Sequence, residues 1–122
     1  MEKHLFVIDD SKIVLKTITG YLEGSNYKVH AFDNAEEALD KMENVSPHII
    51  ILDYFMPNMN GDTFMIKVSE RLLHFHDWRV FLLSSHDFTQ EEKMSMLTLG
   101  ITQVFKKPID KEALLKAIEE ES

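Results

Sequence analysis

The chain has no cysteine, three prolines, four glycines and a shortage of positive charge. Without cysteine it has no disulfide, thiolate nucleophile or thiolate metal site. Thirteen basic residues against 21 acidic ones give a net charge of −8, which disfavours direct binding to nucleic acid. No apolar run approaches the roughly 20 residues that span a membrane, and the short run after Met1–His4 is too brief for a secretion signal. We therefore expect a cytoplasmic protein that binds neither nucleic acid nor a membrane.

The length of 122 residues suits one domain, and we expect that domain to cover residues 1–122. Hydrophobic residues make up 44% of the chain and charged residues 28%, as in soluble globular proteins. The sequence contains no internal repeat, low-complexity segment or linker.

The strongest structural signal is the run Ile49-Ile50-Ile51-Leu52. Such a run of β-branched and aliphatic residues predicts a strand that is buried on both faces, as in parallel sheets. Four more segments have strand character: Leu5–Ile8, Tyr27–Ala31, Val80–Leu83 and Ile101–Phe105. Tyr27–Ala31 alternates apolar and polar residues and fits an edge strand. Helical patterns follow the strands at 11–23, 34–44, 62–73, 88–99 and 110–121, with predicted N-caps at Asn34, Asp62, Thr89 and Asp110.

A β-α order repeated five times predicts an α/β fold. Short right-handed crossovers then favour a doubly wound (βα)5 three-layer sandwich with a parallel five-stranded sheet. In the strand order 2-1-3-4-5, the carboxyl ends of the first, third, fourth and fifth strands meet at one edge. Ligands bind at that edge in open α/β sheets.

Polar residues follow each of those four strands: Asp9-Asp10, Asp53, Ser84-Ser85 and Lys106-Lys107-Pro108. Two carboxylates 4 Å apart repel by about 4 kcal/mol at an effective dielectric constant near 20, so three acids at one edge will hold protons or a cation. Oxygen ligands without histidine or cysteine favour Mg²⁺, with Mn²⁺ as a second candidate. The alternative for Asp9 and Asp10 is that one of them caps the next helix, which leaves the second acid unexplained.

Asp53 is the candidate nucleophile, because a carboxylate beside Mg²⁺ can accept a phosphoryl group as an acyl phosphate. The alternative is a surface acid at the start of a loop. Ser84 can donate a hydrogen bond to a phosphoryl oxygen, and a lysine can neutralise another. We favour Lys107 over Lys106, because the residue before a proline is extended and strand alternation then directs Lys106 to solvent. Base rates alone predict a trans peptide bond before the proline.

With these motifs the chain resembles the receiver domains of bacterial two-component response regulators. The matching features are Asp9-Asp10, Asp53 with Met56-Pro57 and Gly61, Ser84 followed by a small residue, and Lys107-Pro108. The resemblance covers the whole chain and implies a flavodoxin-like fold. It also implies that a sensor histidine kinase, or a histidine phosphotransfer protein, passes a phosphoryl group to Asp53. A receiver of this kind is a phosphoacceptor and not a conventional enzyme.

The resemblance also implies roles for single residues. Asp10, Asp53 and the backbone carbonyl of Phe55 would hold Mg²⁺, with Asp9 acting partly through water. The Lys107–Pro108 peptide would be cis. Ser84 would move towards the phosphoryl group and repack the face formed by the fourth helix, fifth strand and fifth helix, which is the usual output or dimer surface.

One position near the expected site departs from the family pattern, and two others are expected to affect the rate at which phosphate is lost. Val104 stands where the family usually has an aromatic residue that reports the switch by turning inward. Phe55 and His86 flank the expected path of the hydrolytic water, and we expect their bulk to slow the loss of phosphate.

The leading hypothesis is a stand-alone receiver whose output is a protein contact, as a monomer or a phosphorylation-dependent dimer. One alternative is a pseudo-receiver that binds partners without phosphorylation, although its usual mark is a lost acid or lysine. A less favoured one is a Mg²⁺-dependent phosphohydrolase of the haloacid dehalogenase kind, which requires a second acid where this chain has Phe55.

Overall fold

The computed structural model describes residues 3–57, 59–71 and 78–120. These residues contain seven strands and five helices. The strands are β1 Lys3–Ile8, β2 Tyr27–Phe32, β3 Ile49–Asp53, β4 Phe55–Met56, β5 Met59–Asn60, β6 Arg79–Ser84 and β7 Ile101–Lys106. The helices are α1 Lys12–Tyr21, α2 Ala35–Met42, α3 Gly61–Arg71, α4 Gln90–Thr98 and α5 Lys111–Glu120. All five predicted strands and helices are present; residues 72, 73 and 121 of the predicted helices lie outside the described residues.

Five of the strands form one parallel sheet in the order β2-β1-β3-β6-β7. The other two, β4 and β5, pair with each other as a short antiparallel ribbon that the sequence did not predict. Leaving this ribbon aside, the order is the predicted 2-1-3-4-5. The strand β2 lies at the sheet edge, as its alternating pattern indicated.

Two apolar layers sandwich the sheet, which confirms the three-layer prediction. Residues of α1 and α5 pack on one face, and residues of α2 and α3 pack on the other. Along β3, Ile49 and Ile51 belong to the first layer, whereas Ile50 and Leu52 belong to the second. Each of the four is at most 1% exposed. Every residue of β3 is therefore buried, including Asp53 at its end. This packing on both faces holds the Asp53 backbone in place.

Three of the four predicted N-caps are confirmed. Asn34 accepts a hydrogen bond from the backbone N–H of Glu37 at 2.9 Å, and Asp110 accepts one from Ala113 at 2.9 Å. Thr89 forms a reciprocal capping box with Glu92. None of the helices in the described part of the chain is long and apolar enough to cross a membrane.

The prediction that Asp62 caps the third helix is wrong. The helix α3 begins at Gly61, and the side chain of Asn60 accepts the N–H of Thr63 at 2.9 Å. The carboxylate of Asp62 instead accepts a hydrogen bond from the hydroxyl of Tyr54 at 2.9 Å. Both residues suit a cap, and only the three-dimensional path of the loop distinguishes them.

Gly61 allows the loop after β3 to close tightly against the sheet. Its N–H donates to the carbonyl of Tyr54 at 2.8 Å. A Cβ at this position would lie 2.9 Å from Leu82 Cδ1, closer than real Cβ contacts, and 3.0 Å from Tyr54 Cδ1, tighter than nine in ten of them. The absence of a side chain at residue 61 is therefore a packing requirement next to the candidate site.

Candidate functional site

The three predicted acids lie together at the carboxyl edge of the sheet. Ile8 pairs with Leu52 across the adjacent strands β1 and β3, which brings the following residues, Asp9 and Asp53, to the same level. One carboxylate oxygen from each of Asp9, Asp10 and Asp53 lies within 4.8 Å of the others. Asp9 is fully buried, Asp53 is 4% exposed, and Asp10 is exposed.

Asp9 is fixed by two contacts. Its Oδ1 accepts the backbone N–H of Ser11 at 2.8 Å, and its Oδ2 lies 2.9 Å from the Nζ atom of Lys107. The N-cap of α1 is Ser11, whose hydroxyl accepts the N–H of Val14 at 3.3 Å. Neither Asp9 nor Asp10 is therefore the cap, and the capping alternative for the acid pair is wrong.

Lys107 joins the acids, and Lys106 points away from them. The Nζ atom of Lys107 lies 3.2 Å from Asp53 Oδ1 as well as beside Asp9. Lys106 pairs with Asp87 at 3.0 Å on the exposed side of β7. The Lys107–Pro108 peptide is cis, as the resemblance implies and against the base-rate expectation of trans.

Burial dominates the electrostatics of Asp53. The pKa of its carboxyl is raised from 3.8 to about 6, and burial is the largest cause. The charge of Asp9 and a hydrogen bond with Asp10 also raise this pKa, and Lys107 lowers it. Burial alone would lower the pKa of Lys107, but its contacts with Asp9 and Asp53 outweigh burial and raise it. One lysine facing three acids leaves the pocket negative. All-oxygen donors of this kind fit a hard divalent cation such as Mg²⁺.

Ser84 ends β6, the strand next to Asp53. It is 1% exposed, and its hydroxyl accepts the backbone N–H of His86 at 2.9 Å. Its carbonyl accepts the N–H of Lys107 at 2.9 Å. These bonds connect the end of β6 to the loop that follows it and to the end of β7.

Four aromatic rings connect the loops that follow β3 and β6. Centroids are 4.7 Å apart for Tyr54–Phe55, 6.0 Å for Phe55–His86, 5.5 Å for His86–Phe88 and 5.0 Å for Tyr54–Phe88. All four contacts are edge-to-face, the geometry that aromatic pairs prefer. Phe55 and His86 were predicted from the sequence to lie near the site, whereas Tyr54 and Phe88 were not. The available signal was the presence of two aromatic residues in each loop.

Val104 is half-buried and packs against the apolar layer on the α2/α3 face. Phe105 packs on the opposite face, where its ring lies 5.5 Å from that of Phe81. Neighbouring residues of a strand point to opposite faces, so Phe105 does not substitute for an aromatic side chain at 104.

Two of the clefts formed by the described residues lie outside the acid pocket. A groove of about 230 Å³ runs between α4 and β7 and is lined by Lys93, Met96, Leu97 and Val104, among others. A cleft of about 910 Å³ lies between α5 and the start of β2, lined by residues such as Tyr27 and Leu115. The amino ends of the strands bound this larger cleft, so it lies at the opposite edge from the acids.

The parallel sheet therefore brings three aspartates and a lysine together at its carboxyl edge, where the strand that carries the buried Ser84 also ends. The sequence model of the response regulator receiver domain matches residues 5–119. The chain belongs to the response regulator receiver domain family. Receivers of this family interact with histidine kinases or phosphotransfer proteins in two-component signalling.

Relatives and solved structures agree with this assignment. The chain is 30% identical over 108 residues to the alkaline phosphatase synthesis transcriptional regulatory protein PhoP of Bacillus subtilis, covering 88% of this chain and 43% of that protein. It is 27% identical over 108 residues to the regulatory protein VanR of Enterococcus faecium, covering 88% and 45%. The chain therefore spans less than half the length of these relatives.

The fold matches Vibrio cholerae chemotaxis protein CheY4 with a TM-score of 0.87 at 24% identity, with both chains fully covered. It also matches the BeF3-activated DrrB receiver domain with a TM-score of 0.82 at 23% identity, over 99% and 97% of the two chains.

Proposed function

We propose that this receiver accepts a phosphoryl group on Asp53 in a Mg²⁺-dependent reaction and thereby switches a protein-binding face. The donor would be a sensor histidine kinase or a histidine phosphotransfer protein. The observation that carries the proposal is the buried Asp53 carboxylate, 3.2 Å from Lys107 and beside two more acids. A structural ion pair would need only one acid for Lys107. The two additional acids in the pocket are explained if they hold a cation.

The reaction would proceed by direct displacement. An Asp53 carboxylate oxygen attacks the phosphorus, the P–N bond of the donor phosphohistidine breaks, and the released imidazole takes up a proton. Because the pKa of Asp53 is about 6, its carboxyl is ionised in most molecules at neutral pH, and the ionised form is the nucleophile. Lys107 would neutralise one phosphoryl oxygen, and the Ser84 hydroxyl would donate to another. Phosphoryl transfer needs this positioning and charge more than covalent help from the protein.

A divalent cation would be held by Asp10, Asp53 and the carbonyl of Phe55, with Asp9 acting partly through water. When bound, Mg²⁺ supplies positive charge beside the phosphoryl oxygens. Asp10 is the exposed member of the three acids, so it suits an ion that retains several waters.

The switch would pass through Ser84. In the described state its hydroxyl accepts the N–H of His86 and keeps its own proton for donation. Movement of Ser84 towards a phosphoryl group on Asp53, to donate that proton, would draw its oxygen away from the His86 N–H and shift the loop after β6. Movement of this loop would then repack the face of α4, β7 and α5. Leu97 of α4 lines the groove beside β7 and is 63% exposed, and Met94, about one turn earlier in α4, is 66% exposed. These exposed apolar side chains are suited to a partner or to a second copy of the chain. The phosphate shifts this equilibrium only by as much as it favours the active form.

Intact-mass spectrometry after incubation with Mg²⁺ and acetyl phosphate tests the acceptor. We expect the gain of one phosphoryl group by the native chain, and none with EDTA or in Asp53→Asn. Asp87→Asn, which removes an exposed acid near the site, is the matched control and should gain the group normally. Failure of the folded native chain to gain a phosphoryl group, while it binds Mg²⁺, would favour the pseudo-receiver alternative.

Hydrogen exchange tests the switch. Beryllofluoride in the presence of Mg²⁺ mimics the acyl phosphate, and we expect it to change exchange in the β6–α4 loop, α4 and β7. The α1–β2 turn serves as the internal reference. Protection confined to the acid pocket would contradict a switched output face.

A further inference from the structure

The four-ring cluster of Tyr54, Phe55, His86 and Phe88 bridges the loops that follow β3 and β6. Asp53 pairs with Leu83 across β3 and β6. Phe55 and His86 each lie two residues beyond the end of their strand. Their rings meet at 6.0 Å, even though Phe55 is 54% exposed. Two exposed side chains hold such a contact only when something behind them restricts their rotamers, because ordering a free side chain costs conformational entropy.

Tyr54 provides that restriction. Its ring contacts Phe55 on one side and Phe88 on the other, which ties the loop after β3 to the loop after β6. Its hydroxyl donates to Asp62 Oδ2 at 2.9 Å, which fixes the ring to the first turn of α3. Gly61 leaves room for the ring against the sheet, since a Cβ there would lie 3.0 Å from Tyr54 Cδ1.

We propose that Tyr54, anchored by Asp62, positions the Phe55 and His86 rings and thereby sets how long a phosphoryl group stays on Asp53. The inference rests on the proposed phosphorylation of Asp53 and adds Tyr54 and Asp62 as positioning residues. Hydrolysis requires a water in line with the bond between Asp53 and phosphorus, and two bulky rings held between the loops restrict its approach. If Tyr54 loses its anchor, the rings sample other rotamers and water reaches the phosphorus more often.

The Asp62 side chain allows a matched set of variants. Its Oδ2 accepts the Tyr54 hydroxyl, whereas its Oδ1 is buried without a hydrogen-bond partner among the described residues. Asp62→Asn keeps an acceptor for the hydroxyl, and Asp62→Ala removes it. Tyr54→Phe removes the donor and keeps the ring. Tyr27→Phe removes a tyrosine hydroxyl at the amino end of β2, far from the acids, and is the control.

The test measures the half-life of the phosphorylated protein after the donor is removed, followed by intact-mass spectrometry with Mg²⁺ present. Loss of one hydrogen bond typically changes a conformer population by about two- to tenfold, so Tyr54→Phe and Asp62→Ala should shorten the half-life by about that factor. Asp62→Asn and Tyr27→Phe should leave it unchanged. The double variant Tyr54→Phe/Asp62→Ala should lose no more than the more affected single variant, because both remove the same bond.

A second readout needs neither metal nor phosphate. In the NMR spectrum of the unmodified protein, the proton chemical shifts of the His86 ring depend on the neighbouring rings of Phe55 and Phe88. Asp62→Ala should move them towards the values of an unstructured histidine, and Asp62→Asn should not.

The outcomes separate this inference from the proposed function. Failure of the native chain to gain a phosphoryl group would contradict the proposed function and overturn the inference with it. Normal phosphorylation with equal half-lives in the native chain, Tyr54→Phe and Asp62→Ala would overturn the inference alone. An Asp62→Asn variant as short-lived as Asp62→Ala would also overturn it, since loss of charge would then be the cause.

Discussion

Replacing Asp53 by asparagine should stabilise the metal-free protein at neutral pH. Burial and the charge of Asp9 raise the pKa of the Asp53 carboxyl from 3.8 to about 6, so the folded protein binds this proton more tightly than the unfolded chain does. Stability from a neutral Asp53 is therefore complete below about pH 4 and is lost as the pH rises through about 6. An asparagine is neutral at every pH and does not lose this stability.

The pKa difference sets the magnitude. A rise of this size in the Asp53 pKa corresponds to about 3 kcal/mol of free energy of unfolding at pH 7.5. Asparagine also loses the ion pair with Lys107, so the expected gain in stability is smaller than this value. We expect Asp53→Asn to raise the free energy of unfolding by about 1–3 kcal/mol at pH 7.5 and by almost nothing near pH 4. If the acid cluster holds Mg²⁺ as proposed, adding Mg²⁺ should reduce the stability difference between Asp53→Asn and the native chain at pH 7.5, because the variant has lost one of the carboxylate ligands.

Urea unfolding in EDTA between pH 4 and pH 7.5 measures this effect. Asp33→Asn changes an exposed acid in the β2–α2 loop and should show no comparable gain at neutral pH. An Asp53→Asn protein no more stable than the native chain at pH 7.5, or equally more stable at both pH values, would refute the electrostatic reasoning.

Three further changes are predicted to lower stability in urea unfolding. Gly61→Ala places a Cβ 2.9 Å from Leu82 and should cost about 1–3 kcal/mol; a neutral result would contradict the packing at this loop. Thr89→Ala removes a capping box and should cost about 1 kcal/mol, and an effect below 0.3 kcal/mol, roughly the error of such data, would contradict the cap. Lys107→Met leaves a buried carboxylate without its cation and should cost about 2–4 kcal/mol, whereas Lys106→Met should have little effect because its ion pair is exposed. Equal effects of the two lysine variants would contradict the structure, in which Lys107 points into the acid pocket and Lys106 points to solvent.

The sequence predicted the sheet because β3 has an unusually simple pattern. Four consecutive aliphatic residues on a five-residue strand require apolar layers on both faces, and the β-α alternation then leaves few topologies. The carboxyl edge followed from that topology. The choice of Lys107 over Lys106 followed from strand alternation and the proline, and the structure places Lys107 beside Asp9 and Asp53.

Features that depend on the path of a loop were not predictable in the same way. Asn60 and Asp62 both suit an N-cap, and the position of Gly61 under the Tyr54 ring decides between them. Two of the ring contacts, Phe55–His86 and Tyr54–Phe88, join residues more than 30 positions apart, and no local pattern encodes such a contact. The ribbon of β4 and β5 has two residues in each strand, too few for a periodic signal.

The most direct test of the central claim is to locate the phosphoryl group. After reaction with acetyl phosphate and Mg²⁺, borohydride reduction converts an aspartyl phosphate to homoserine, and tandem mass spectrometry of the peptides identifies the altered residue. Homoserine at position 53 alone, absent with EDTA, is the predicted result. Homoserine at position 9 or 10 instead, or at no position in a protein that has gained the phosphoryl mass, would contradict the assignment of Asp53 as the acceptor.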